Sequence, residues 1–189
     1  MHIPTHILSG WCAADLVELT PRERVFAMVA AAIPDVDGLG LLVSFDYYNE
    51  FHHVLAHNLL FGTVAAGGLA LCSTHRLKGF ILYFALFHLH LVMDLLGSGP
   101  AWGIRYFWPV SSHDFQNPYG WELSSWQNTL ALAILLAWTV ASARKRGRTP
   151  FELLYPSLDR EFRGIPRVRS GDLVSGNEPN PKQKTKAGG

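Results

Sequence analysis

The residues best suited to chemistry lie in an apolar stretch of the second half of the chain. His90 and Asp94 are four residues apart within the run ILYFALFHLHLVMDLL, so on a helix both side chains would point to one face. An ionised carboxylate in such apolar surroundings costs several kcal/mol unless it is paired, protonated or bound to a metal. We therefore interpret this helix face as one wall of a metal site.

Two further groups of the same residue types come earlier in the chain. The sequence PDVDG places Asp35 and Asp37 two residues apart, on what we predict to be a turn. His53 and His57 have the i, i+4 spacing of two ligands on one helix face, whereas His52 would point about 100° away from His53. Zinc and similar ions bind imidazole nitrogen and carboxylate oxygen, which are the donors of this set. The candidate ligands are His6, Asp35, Asp37, His52 or His53, His57, His90 and Asp94.

Helix signals surround each of these groups. Thr20 begins a T-x-x-E capping box with Pro21 in the first turn, and the helix that follows is predicted to end at Pro34. A short helix is predicted from His6 to Val17, and the histidine pair should open a long helix that ends near Ser73. Further helices are predicted over 79–96 and 126–143. The sequence thus indicates an all-α fold.

Three of these helices, at 54–73, 79–96 and 126–143, have roughly the length and apolarity needed to cross a bilayer. Hydrophobic residues make up 49% of the chain and charged residues only 16%, which is low for a soluble protein. We expect a membrane-embedded helical bundle with about three membrane-crossing helices and short N-terminal helices. The competing interpretation is a soluble all-helical domain, with which the modest mean hydropathy of +0.13 is compatible.

The distribution of basic residues predicts an orientation. Residues 1–143 hold five Lys/Arg against ten Asp/Glu, whereas residues 144–189 hold eleven against five. Both basic junctions, at 76–78 and 144–148, fall on one side of a three-crossing arrangement, and the positive-inside rule makes that side cytoplasmic. We predict a helical domain over 1–148 and a basic, largely disordered cytoplasmic tail over 149–189. The tail suits an anionic membrane surface, and no nucleic-acid-binding motif accompanies it.

Several classes of protein are excluded by what the sequence lacks. Cys12 and Cys72 are too few for a disulfide framework and lack the spacing of metal ligands. There is no Ser-His-Asp nucleophile elbow, phosphate-binding glycine loop or dinucleotide fingerprint. The N-terminus has no basic region, and Asp15 and Glu18 interrupt its apolar run, so it does not have the pattern of a signal peptide.

The order of these motifs resembles the bacterial inner-membrane metal-dependent hydrolase family. The motifs are Thr5-His6, P-D-x-D at 34–37, a histidine pair before an apolar helix, H-x-x-x-D at 90–94, and Trp-Pro at 108–109. More distantly, they are similar to zinc-dependent phospholipase C, whose helical fold also supplies ligands from an H-x-x-x-D helix. The resemblance covers about residues 2–110. It implies that a metal site is lined by His6, Asp35, Asp37, His57, His90 and Asp94.

The central histidine motif departs from the family pattern. The family reads H-R-G-x-T-H-S, with its histidines five residues apart, and this register selects His52, whereas helical geometry selects His53. Both therefore stay candidates. The arginine of the family motif, a plausible partner for a substrate phosphate, is replaced here.

These observations give two hypotheses of different classes. The first is a membrane-bound metal-dependent hydrolase that cleaves a phosphoester of a lipid or other amphiphile, using water activated by one or two divalent ions, zinc or manganese. Asp35 or Asp37 would be a ligand and also the catalytic base. The second is a non-hydrolytic membrane metal-binding or transport protein. No polar path is visible through 59–73 or 79–87, which favours the hydrolase.

Overall fold

The structure is a computed structural model that describes residues 1–152 and 158–159. This part of the chain folds into six α-helices and one 3-10 helix, and its nearest approach to a sheet is an isolated antiparallel bridge between Ile104 and Phe115. The prediction of an all-α fold is confirmed. The α-helices are α1 (Ile3–Asp15), α2 (Pro21–Ala32), α3 (Phe45–Phe51), α4 (Leu59–Leu71), α5 (Arg76–Gly97) and α6 (Trp126–Arg146), and the 3-10 helix is Ile33–Leu42.

The predicted capping box begins α2. The Thr20 hydroxyl accepts the Glu23 N–H at 3.2 Å, and a Glu23 carboxylate oxygen accepts the Thr20 N–H at 2.9 Å. The other oxygen of Glu23 accepts the N–H of Thr74, which ties α2 to the connection between α4 and α5. α2 ends at Ala32, close to the end predicted at Pro34, but the chain then continues as the 3-10 helix and does not form the predicted turn. Asp35 and Asp37 therefore lie on a 3-10 helix and not on a turn.

The prediction of one long helix that carries the histidine pair is wrong. The chain forms α3, leaves the helical conformation over residues 52–58, and begins again as α4, so His53 and His57 do not share a helix face. Asn58 caps α4 by accepting the N–H of Phe61, and its amide donates to the carbonyls of Val54 and Leu55, all at 2.9 Å. Residues 39–49, which lack a clear helix signal in the sequence, contain the end of the 3-10 helix and most of α3.

Three segments of the described chain are long and apolar enough to cross a membrane: Pro21–Leu42, Arg76–Gly97 and Trp126–Arg146. The predicted number is confirmed, but one of the predicted segments is not. At 1.5 Å per residue, the 13 residues of Leu59–Leu71 span about 20 Å, short of the roughly 30 Å of a bilayer core. The continuous Pro21–Leu42 helix takes its place.

Small side chains let the helices approach closely. α1 packs against α2 and α6, and α5 packs against α2 and against the antiparallel α4. The core between them is built from Ala14, Ala27, Ala30, Ala31, Ala66 and Ala70 around Tyr83 and Leu86. A Cβ on Gly10 of α1 would lie 2.6 Å from the Ala27 carbonyl oxygen of α2, so only glycine permits this contact. Such packing is typical of membrane helices.

Polar contacts close one end of the bundle, which we call the basic end. Asp15 at the end of α1 is buried and accepts from Ser142 at 2.6 Å and Arg146 at 3.0 Å, both near the end of α6. Arg24 of α2 forms a two-point ion pair with Glu152, at 2.5 and 2.8 Å. The first residues after α6 therefore contact the bundle. Most of the predicted disordered tail lies outside the described residues.

Candidate metal centre

The opposite end of the bundle, which we call the site end, brings the predicted ligands together from four parts of the chain. α1 carries His6, the 3-10 helix carries two aspartates, the segment 52–58 carries three histidines, and α5 carries a histidine and an aspartate. The elements are far apart in sequence, and the cluster forms because all of them end or turn at this level. The structure thus gathers His6, Asp35, Asp37, His52, His53, His57, His90 and Asp94 into one neighbourhood.

Asp94 is the centre of this cluster. Its carboxylate is only 1% exposed, and one oxygen, Oδ2, lies 2.8 Å from His90 Nε2, 3.3 Å from His57 Nε2 and 3.7 Å from His53 Nε2. The other oxygen lies 3.2 Å from His6 Nε2 and also contacts the Met1 amino group. One buried carboxylate therefore faces four imidazole rings.

His90 is held in one orientation by a backbone carbonyl. Its Nδ1 lies 2.7 Å from the carbonyl oxygen of Ala31 and therefore donates its hydrogen there. The neutral ring then carries its lone pair on Nε2, which faces Asp94 Oδ2 and lies 3.7 Å from Asp35 Oδ1. The His6 ring stacks on the His90 ring with centroids 3.8 Å apart. A hydrogen bond from the remote nitrogen is how metal-binding histidines are usually oriented.

Asp37 orients the segment that the sequence predicted to be helical. Its Oδ1 lies 2.6 Å from His52 Nδ1, and its Oδ2 accepts from His57 Nδ1 at 3.0 Å and from the Ala56 N–H at 3.2 Å. His53 within this segment has a φ of +67°, in the left-handed region that favours glycine. These hydrogen bonds stabilise a tight turn whose backbone is strained at His53.

His57 connects the two carboxylates. Burial alone would lower the pKa of this imidazole, but its contacts with Asp37 and Asp94 outweigh that effect and raise the pKa to about 9. Its Nε2 lies 3.2 Å from the Nε2 of His90, although each ring already directs its Nδ1 hydrogen to an oxygen atom. Two lone pairs cannot face each other at this distance in a buried site. A cation between them, either a proton or a metal ion, removes the conflict.

His52 and His53, between which the sequence did not decide, both lie at the site, in different positions. His53 faces Asp94, and burial together with the nearby charge of His57 lowers its pKa well below the ordinary value. His52 instead contacts Asp37. The ligand atoms of Asp35, His57, His90 and Asp94 all lie within 4.8 Å of one another, and those of Asp37, His52 and His57 form a second such group.

The unpartnered atoms of the site fit a divalent cation. Asp35 Oδ2 and His53 Nδ1 are buried and have no hydrogen-bond partner among the described residues, and the neighbours of Asp94 Oδ2 are imidazole nitrogens that can also bind a metal. Burial lowers the pKa of His6, which keeps that ring neutral. Two imidazole nitrogens and two carboxylate oxygens converging in a buried space are a donor set that zinc or manganese accepts.

The chain matches one known family over most of its length. The family model described as the YdjM inner membrane protein matches residues 1–163. The chain belongs to this family. No curated protein and no solved structure matches it.

Membership identifies this YdjM-family chain as a bacterial inner-membrane protein, which agrees with its three long apolar helices. The predicted inner-membrane family and membrane location are thereby confirmed. The hydrolase activity implied by the resemblance stays a prediction, as do the similarity to phospholipase C, the identity of the metal and the orientation of the tail.

The remaining histidines of this YdjM-family protein lie outside the cluster. His88 on α5 donates from Nδ1 to the carbonyl oxygen of Phe84 and forms a hydrogen bond through Nε2 with the Tyr106 hydroxyl, both at 2.7 Å, and so supports the loop after α5. His113 is exposed in that loop, His75 precedes α5 at the basic end, and His2 is exposed just before α1. These four positions agree with a structural or solvent-exposed role.

A polar cleft of about 180 Å³ opens beside His52. Sequence analysis did not identify it, although the Gly- and Trp-rich composition of 98–126 indicates a segment near the site. Trp102 lines the cleft and lies 5.6 Å from the His52 ring and 5.4 Å from the His53 ring, between ring centroids. The other lining residues are Asn49, Glu50, His52, Val54, Ala101, Gly103, Arg105 and Asp114.

Proposed function

We propose that this chain is a membrane-bound metal-dependent hydrolase that cleaves a phosphoester of a lipid or another amphiphile. One observation carries the proposal. His57 and His90 each direct Nδ1 to an oxygen atom, while their Nε2 atoms face each other at 3.2 Å and converge on Asp94 Oδ2, at 3.3 and 2.8 Å. Without a metal ion these three atoms have to share protons, whereas one divalent ion satisfies all three of them at once.

His57, His90 and Asp94 would hold the first ion, with Asp35 beside them. Two histidines and one carboxylate leave a zinc position open for water, as catalytic zinc sites do. Asp37, His52 and the shared His57 form a second group of ligand atoms, so the site suits one ion or two. Zinc is our first choice and manganese the second, because both accept mixed nitrogen and oxygen ligands.

The chemistry that a divalent ion supplies in such a site is a lower pKa for water and stabilisation of negative charge on a phosphoryl oxygen. The chain's own residues complete the requirements for hydrolysis. Asp35 keeps one oxygen without a donor, which supports its predicted role as a ligand or as the base that takes the water proton. Asp37 is already hydrogen-bonded through both oxygens, which supports a role in orienting His52 and His57.

The charge distribution supports the predicted orientation of the protein. Among the residues that the structure describes, the basic end carries the arginines at 22, 24 and 76, Lys78 and the basic residues 144–148, whereas the site end carries Arg105 alone. The positive-inside rule would make the basic end and the C-terminal tail cytoplasmic. The metal centre would then open toward the outer face of the inner membrane.

The transport alternative requires a polar path from the site to the basic end. Buried hydroxyls do lie between the two ends, but Ser9 donates to the carbonyl of His6 and Thr139 to the carbonyl of Leu135, each within its own helix. Each hydroxyl is engaged within its own helix, and these two groups do not form a continuous polar path. This favours the hydrolase.

The proposal is tested by elemental analysis of the purified wild type and two histidine variants after reconstitution with zinc or manganese. His90→Ala should lose most of the metal. His88→Ala is the matched control, because His88 lies on the same helix, contacts Tyr106 and should leave the metal content unchanged. A folded wild type without metal would refute the metal centre.

Activity is measured on the same samples with a chromogenic phosphodiester and a short-chain phospholipid. Hydrolysis that follows the metal content of the variants supports the proposed function. Stoichiometric metal without hydrolysis of any phosphoester would instead support the non-hydrolytic alternative.

A further inference from the structure

The cleft beside His52 is lined by charges of both signs, and Arg105 is its one cation among the described residues. Arg105 is the only Lys or Arg between residues 79 and 143. It lines the cleft with an exposed side chain, and no carboxylate of the described residues forms an ion pair with it. Glu50 and Asp114 line the same cleft. An unpaired guanidinium and two carboxylates face one small volume.

The position of Arg105 is fixed by the backbone around it. Its N–H donates to the carbonyl of His53 at 3.4 Å, and the preceding Ile104 exchanges two backbone hydrogen bonds with Phe115 at 2.9 and 3.0 Å. The guanidinium therefore extends from a segment tied directly to the metal-site turn. Arginine binds phosphate through paired N–H donors, so Arg105 suits the phosphate of a substrate.

The cleft also suits a cation. Glu50 and Asp114 supply negative charge, and Trp102 adds an aromatic ring to the lining, a residue type that binds ammonium groups. A Cβ on Gly103 would overlap the carboxylate of Asp114, so glycine at this position allows Asp114 to lie against the backbone of the cleft. The volume of about 180 Å³ is well below the roughly 300–1,000 Å³ of pockets for drug-sized ligands.

From these charges we infer that the cleft binds a phosphate ester that carries an ammonium group, with Arg105 on the phosphate and Glu50, Asp114 and Trp102 around the ammonium. A phosphoethanolamine group has this chemistry, either free or as a lipid headgroup. The inference rests on the proposed function, because it names the substrate class of that hydrolase. It concerns residues outside the metal-ligand set, so the two can fail separately.

The test is isothermal titration calorimetry of the purified protein in detergent with phosphoethanolamine, glycerol 3-phosphate and ethanolamine. Phosphoethanolamine should bind about tenfold more tightly than glycerol 3-phosphate, because only it completes both charged contacts. Arg105→Gln should weaken both phosphate compounds about tenfold. The double change Glu50→Gln and Asp114→Asn should remove the preference while leaving glycerol 3-phosphate binding unchanged.

Arg76→Gln and Glu18→Gln are the matched controls, because both residues are exposed at the basic end and should leave every affinity unchanged. Repeating the titration on metal-depleted protein separates the two proposals: a preserved preference without metal supports the cleft even if the hydrolase proposal fails. Displacement of the soluble compound by phosphatidylethanolamine nanodiscs would identify the lipid as the source, and no displacement would identify the free compound. Equal affinity for phosphoethanolamine and glycerol 3-phosphate, or an Arg105→Gln variant that binds like its control, would overturn the inference.

Discussion

Replacing Gly10 with alanine should weaken both the bundle and the metal centre, although Gly10 is not a ligand. A Cβ at this position would lie 2.6 Å from the Ala27 carbonyl oxygen and 2.7 Å from the Ala31 Cβ. Neither atom can rotate away, and carbon atoms pack best at about 3.5–4.0 Å. α1 and α2 must therefore separate by roughly 1 Å, since the shortfall at Ala31 is of that size.

The energetic cost follows from two opposing effects. Overpacking a tight contact lowers the free energy of unfolding by about 1–3 kcal/mol, while replacing a helical glycine by alanine raises it by up to about 1 kcal/mol. We expect a net loss of about 1–2 kcal/mol in the free energy of unfolding. The metal centre should respond as well, because α1 carries the ring that stacks on His90 and α2 carries the Ala31 carbonyl that orients it. A disturbed partner of a metal-binding histidine commonly costs about tenfold or more in metal affinity.

Unfolding in detergent, followed by circular dichroism, measures the first effect, and competition with a chelating dye measures the second. Gly68→Ala is the control, because Gly68 is a helical glycine of α4 with nothing within 4 Å of an added Cβ. That variant should be as stable as the wild type or slightly more stable, with unchanged metal affinity. A Gly10→Ala protein that matches Gly68→Ala in both measurements would refute the close-packing argument.

Three further predictions concern the turn, the orientation and the protonation of the site. Asn58→Ala should lower the free energy of unfolding by about 2 kcal/mol, because it removes a helix cap and leaves two carbonyls unpaired, whereas Ser44→Ala at the exposed cap of α3 should cost less than about 1 kcal/mol. A membrane-impermeant maleimide should label exposed Cys72 only from the cytoplasmic side and should not label buried Cys12 until the protein is unfolded; labelling of Cys72 from outside would reverse the proposed orientation. The free energy of unfolding of the metal-free protein should fall, by on the order of 3 kcal/mol, as the pH rises from 6.5 through 9, because the pKa of His57 is raised to about 9 between two carboxylates. The metal-loaded protein should not show this fall. A flat pH profile of the metal-free protein would contradict the contacts assigned to His57.

The parts of this fold that depend on local sequence were predictable. The Thr20 capping box has a direct local mechanism, and the structure contains it. His90 and Asp94 lie on one face because a long apolar helix without glycine or proline at these positions leaves few alternatives. The pairing of His90 and Asp94 on one helix face could therefore be predicted from residue types and spacing.

The turn at 52–58 was not predictable in the same way. No proline or glycine interrupts these residues, so local preference gives no reason to leave the helix. The cause is a tertiary contact: Asp37, fifteen or more residues earlier, accepts from His52, His57 and the Ala56 N–H. The one local signal was Asn58, a favoured cap just before an apolar run.

The segment 21–42 shows a related limit. Pro34 was interpreted as a stop because proline removes a backbone donor and disfavours a continuing α-helix. The structure keeps the helix direction by changing to the 3-10 form, in which Pro34 stands in the first turn, where its missing N–H has little effect. The length of the membrane segment therefore depended on a change of helix type that hydropathy alone does not show.

The contact between α1 and α6 has a consequence for how the protein is made. The buried carboxylate at the end of α1 meets Ser142 and Arg146, which are synthesised more than 120 residues later. During insertion, the first helix must therefore wait beside the translocation machinery or in the lipid, with Asp15 lacking its final partners. This helix therefore reaches its final packing only after α6 has been made, and truncation before residue 142 should give chains that quality-control proteases recognise through it.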